Sequence, residues 1–126
     1  EYPLFTYSSR VLSLADSPRF EVYTSPLCLA IAYYFAEKKS GKALARKKIA
    51  ILCSKMNITA MDSHGVQHTL MNKWIGDFED GLQYYSALGS KCKCIVTQDV
   101  GDYYFSDVEV LTAEMFLLKY VVRKSK

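Results

Sequence analysis

Four aspartates in the second half of the chain have the type and spacing to hold a hard cation. They are Asp77 and Asp80 in GDFEDGLQYY (76–85), and Asp99 and Asp102 in IVTQDVGDYYF (95–105). A helix from Asp77 to Gly89 would be roughly 19 Å long at ~1.5 Å per residue. A strand from Cys92 to Thr97 would be roughly 20 Å long at ~3.3 Å per residue. The chain thus leaves one edge along the helix and regains it by the strand, which brings Asp80 back to Asp99. Asp77 shares a helix face with Asp80, and Asp102 follows Asp99 within one turn. Gathered carboxylates repel by something of order a kcal/mol per pair at partial burial unless a cation offsets them. Oxygen donors suit Mg²⁺ or Mn²⁺, and such an ion can activate water against a phosphodiester. A plainer reading stands beside this one. Asp77 is an ordinary N-cap, Glu79 and Asp80 complement a helix dipole, and Asp99 and Asp102 are turn residues.

A basic stretch balances the acidic one. Between Lys38 and Met61 there is no acid, while Lys38, Lys39, Lys42, Arg46, Lys47, Lys48 and Lys55 are all cationic. Such a run is either a solvated helix face or a surface for phosphates, with Lys38, Lys42 and Arg46 as the candidate contacts. His64 and His68 stand one helical turn apart but lack an evident third ligand. Tyr33, Tyr34, Tyr84, Tyr85, Tyr103 and Tyr104 offer rings that could stack on bases or line the edge of a core. The cysteines, Cys28, Cys53, Cys92 and Cys94, fit no disulfide framework and read as small buried residues of a reducing, cytoplasmic protein.

These residues need a scaffold. At 126 residues, half of them hydrophobic and with a net charge of +3, the chain is read as one domain with a real core. No apolar run approaches the ~20 residues of a membrane span, and no signal-peptide pattern is present. The periodicity predicts helices over 3–16, from Pro26 to about Lys39 behind a Ser25 cap, over 42–56 with Leu44, Ile49, Leu52 and Cys53 inward, from an Asp62-Ser63 cap to about Met71 or Trp74, over 77–89, and after Thr112. Strands are expected at 20–24, 57–61, 92–97 and 108–112. Alternation of short apolar strands with helices argues for an α/β/α sandwich around a short, mainly parallel sheet, with ligands at the carboxyl edge of the strands.

The stretch DFEDGLQYYSALGSKCKCIVTQDVGDYYFSDVEVLTAEMFL resembles the carboxyl half of a PIN domain. An aspartate opens a helix, an apolar strand ends in Thr, and Asp follows, then a second Asp before an aromatic. VYTSPLCLAIAYYFAEKK resembles the family's second strand and the helix after it. The resemblance implies a Mg²⁺- or Mn²⁺-dependent ribonuclease, in many members a toxin held by an antitoxin protein. Asp80 and Asp99 would be the catalytic acids, Asp77 and Asp102 further metal ligands, and Thr97 a residue lining the site. RNA and an antitoxin are the implied partners, with a homodimer a further option. The family's first aspartate would fall on a strand ahead of residue 1, and its acid on the helix after strand two would fall near Ile31. These departures admit a second reading, a catalytically degenerate module that binds nucleic acid or antitoxin in the same cleft. With that first strand missing, 20–24 and 92–97 are expected to flank a strand supplied from upstream, or to pair with each other or with a second copy.

Overall fold

The computed structural model describes residues 19–122. The helix expected over 3–16 lies outside them. Strand β1 (Tyr23–Thr24) leads into α1 (Pro26–Ser40) and α2 (Lys42–Lys55), followed by β2 (Asn57–Ile58), α3 (Ser63–Met71) and α4 (Phe78–Gly89). Strand β3 (Cys94–Val96), a 3₁₀ turn (Val100–Tyr103), β4 (Glu109–Leu111), α5 (Ala113–Phe116) and a π-helical turn (Leu117–Val122) complete the order.

The helices begin where local chemistry starts them. Ser25 caps α1 by accepting from Cys28 N–H, with Pro26 in the first turn. Asp62 caps α3 through Gly65 N–H, Asp77 caps α4 through Asp80 N–H, and Thr112 caps α5 through Met115 N–H. Gly41 ends α1 at φ 85°, donating its N–H to Glu37 C=O, and at once begins α2. That left-handed backbone suits a residue without Cβ. Lys91 adopts the same region, φ 61°, just past α4. There Cys92 N–H returns to Ala87 C=O at 2.9 Å.

The strands are parallel, as the alternation predicts, but shorter than expected. β1 pairs with β2 (Tyr23 opposite Asn57), and β3 with β4 (Cys94 opposite Glu109). Among the described residues these are two separate two-stranded ladders, and β1 and β3 do not pair with each other. Side chains join the halves. Thr59 and Ser86 share a buried hydroxyl–hydroxyl hydrogen bond of 2.9 Å, and Phe20 meets Phe116 edge-on at 5.7 Å between centroids. At the far side Glu109 accepts from Lys119 Nζ and Tyr120 Oη, which fastens β4 to the π-helical turn.

Among the described residues the buried apolar ones are Ala45, Tyr84, Tyr103, Leu111, Ala113 and Leu117. On α2 the inward stripe is therefore Ala45, Ile49 and Leu52. Leu44 and Cys53, expected on that face, are exposed, because α1 covers a narrower strip than the sequence pattern spans. The cysteines are likewise less buried than expected. Cys28 and Cys53 are exposed, Cys92 and Cys94 half-buried, and all four are free thiols. Burial pushes the Cys94 thiol up to about 11, with Glu109 adding to the shift. No described helix is long and apolar enough to cross a membrane.

Candidate acidic site at the head of α4

The amino end of α4 carries the first pair of acids. Asp77 Oδ1 accepts from Asp80 N–H at 3.1 Å, so the cap that starts the helix also fixes these two carboxylates in relation to each other. The second pair is set by the turn after β3. Thr97 N–H extends the ladder to Leu111 C=O at 2.9 Å. Thr97 Oγ1 then accepts from Asp99 N–H at 3.1 Å, and Asp102 N–H donates to Asp99 C=O at 3.0 Å. Thr97 thus positions Asp99 through its hydroxyl.

The two pairs meet at Asp80. Its pKa is raised, first by desolvation and then by the charges of Asp77, Asp102, Glu79 and Asp99. Asp80 is half-buried, while the other three aspartates are exposed. The four expected acids therefore share one electrostatic neighbourhood. Oxygen-only donors of this kind fit Mg²⁺ or Mn²⁺ in type. Their spacing is open, since among the described residues no three acidic, histidine or cysteine side chains close around a common point. His64 and His68 fall under the same finding. Both are exposed, and the His68 ring lies against Tyr85, 5.3 Å between centroids.

Gln83, which the sequence did not single out, builds the floor of the site with Ser25, expected there only as a helix cap, and Tyr103, expected as a stacking or core-edge ring. Buried Ser25 donates its hydroxyl to Gln83 Oε1, and Gln83 Nε2 donates to Cys28 Sγ at 3.1 Å. This chain of contacts ties the head of α1 to α4. Tyr103 is buried between them. Burial raises its pKa, and the charges of Asp80 and Cys28 raise it further. Gln83 lies three residues after Asp80, on the same face of one helix, which is the only signal of it in the sequence. Ser25 and Tyr103 depend on a long-range contact that no local pattern reports. Ile31 lies one turn past Cys28 on α1 and is exposed. It puts an apolar side chain where the resemblance calls for an acid.

The basic candidates stand elsewhere. Lys38 is ten residues beyond Cys28, roughly 15 Å along α1, and Lys42 and Arg46 begin α2 at that far end. All three are exposed, and Lys38 Nζ sits 4.8 Å from the centroid of the Tyr34 ring. The structure does not bring them to the acids.

Parallel β–α units with acids gathered beyond the strand ends match a known architecture. A family model of the PIN domain matches residues 1–101, and the chain belongs to that family. Among characterised proteins it is similar to Ribonuclease VapC1 of Aquifex aeolicus (strain VF5), with 29% identity over 114 residues, covering 87% of this chain and 78% of that protein. No solved structure matches it.

Proposed function

We propose that this chain is a PIN-type ribonuclease of the toxin kind, which hydrolyses RNA phosphodiesters at the acidic head of α4. What supports this reading is the placement of Asp77 and Asp80 at the head of α4 and of Asp99 in the Thr97-held turn after β3, with their charges acting together on Asp80, in a chain similar to Ribonuclease VapC1. Asp80 and Asp99 would hold Mg²⁺ or Mn²⁺, with Asp77 and Asp102 as further ligands. When bound, such an ion supplies an activated water and neutralises charge on the leaving oxygen. The chain's own residues do the positioning. Thr97 orients Asp99, Asp77 fixes Asp80, and the Ser25–Gln83–Cys28 contacts with Tyr103 form a floor that limits water beneath the acids. An antitoxin protein that covers the acids, a cytoplasmic location and a homodimer belong to the same reading.

Ile31 favours a second reading. With an apolar side chain at that point of α1, the cleft could bind RNA or an antitoxin without cutting. Incubating the full chain with single-stranded RNA and Mn²⁺ separates the two. Cleavage by the parent that is lost in Asp80→Asn and Asp99→Asn supports the ribonuclease. RNA binding without cleavage, together with calorimetry that detects no Mn²⁺ binding at millimolar concentration, would leave the binding module.

A further inference from the structure

Trp74 and Tyr104 are each 66% exposed, and they lie in the two chain segments that carry the acids. Trp74 N–H donates to Asn72 Oδ1 at 3.0 Å, and its C=O accepts from Tyr104 Oη. Asn72 Nδ2 in turn donates to Tyr85 Oη at 3.1 Å, which anchors the loop to α4. Tyr104 rests edge-on against Phe105, 5.6 Å between centroids. Trp74 comes three residues before Asp77, and Tyr104 two after Asp102, so the bond between them clasps the two chain segments that carry the acids. Lys73 Nζ lies 5.5 Å from the centroid of the indole.

We propose that Trp74 and Tyr104 form a stacking platform for the bases of single-stranded RNA beside the acidic site. This rests on the ribonuclease reading and names the form of RNA that the site accepts. The Tyr104 ring, held at its hydroxyl and against Phe105, loses little freedom when a base settles on it. Every base has a face that stacks on an aromatic ring, so the platform tolerates sequence. Bases settled on the rim leave the backbone free to cross the acids, and Lys73 beside the indole offsets the charge of a neighbouring phosphate. In a duplex the bases already stack on one another, so an unpaired segment is required.

Trp74 is the sole tryptophan of the chain, so its emission reports on this spot alone. A short oligouridylate added to the full chain should quench it, and an abasic ribose-phosphate strand of equal length should not. Trp74→Ala should weaken binding of a labelled oligouridylate by about 5- to 100-fold, while Trp74→Phe should keep most of it. If the parent cleaves RNA, Trp74→Ala should raise KM with little change in kcat. Quenching without cleavage would uphold the platform and sink the ribonuclease reading. Cleavage with no quenching, equal quenching by the abasic strand, or unchanged affinity in folded Trp74→Ala would overturn the platform. So would shielding of the indole by a bound protein but not by oligouridylate, since that marks a protein-docking surface.

Discussion

Asp80 is held among like charges, and this gives it a measurable pH signature. Its folded pKa lies above the ordinary aspartate value of 3.8, through desolvation first and neighbouring carboxylates second. The folded state therefore binds this proton more tightly than the unfolded chain does. The resulting stability is fully present below pH 3.8 and is lost as pH rises through the folded value. Asp80→Asn removes that dependence. Like-charge neighbours on a helix cost about 0.2–0.5 kcal/mol, so the variant should melt about 1–2 °C higher than the parent at neutral pH. The difference should vanish in acid, and scanning calorimetry across pH checks both halves of the statement. Millimolar Mn²⁺ should raise the melting temperature of the parent and leave that of Asp80→Asn unchanged.

At the scale of the element, the packing of α3 on α4 turns on one glycine. A Cβ built at Gly81 would stand 2.4 Å from Thr69 Cγ2, 2.9 Å from Thr69 Oγ1 and 3.1 Å from Ile75 Cγ2. Thr69 cannot swing away freely, because its hydroxyl donates to Gly65 C=O at 2.8 Å. Alanine is favoured over glycine in a helix by about 1 kcal/mol, but overpacking costs about 1–3 kcal/mol. Gly81→Ala should therefore destabilise the protein in urea unfolding, and Thr69→Ala should restore it in the double variant. These helices were legible in the sequence because their signals are local. Ser25, Asp62, Asp77 and Thr112 cap from the side chain to a backbone three residues on. The strands were less so, since β1 and β2 keep only the residues that find a partner far along the chain. The acids could be placed by counting lengths along α4 and β3. Their floor could not, because Ser25 meets Gln83 only once two distant elements have packed.

At the scale of the molecule, charge is divided along α1. Its head meets the acids through Cys28 and Gln83, and its tail joins α2 in an exposed basic end. An RNA held at the acids would have to run along this helix to use both. Reversing Arg46, Lys47 and Lys48 to Glu should then weaken RNA binding and flatten its salt dependence, by a slope of about 0.7 for each phosphate left without a cation. Unchanged affinity across a salt titration would return these three residues to a solvated face. Exposure carries a second message at this scale. Among the described residues no large side chain is completely buried, so the residues that were legible as hydrophobic were not all legible as core. Leu70, Met71 and Trp74 are apolar in type and open to water in place.

The two separate ladders set an order of events. β1 meets β2 across 57 − 23 = 34 residues, and β3 meets β4 across 109 − 94 = 15. Closing the longer loop costs about 0.7 kcal/mol more. With no main-chain pairing between the ladders among the described residues, each can nucleate alone, and the carboxyl-terminal one has the head start. Asp99 and Asp102 should then be in place early, with the half that closes the shorter loop. Ser25 and Cys28 arrive with the slower half. On loop closure alone the acidic site should be completed in time only when the two halves dock, and pulsed hydrogen exchange should find the amides around its floor protected last.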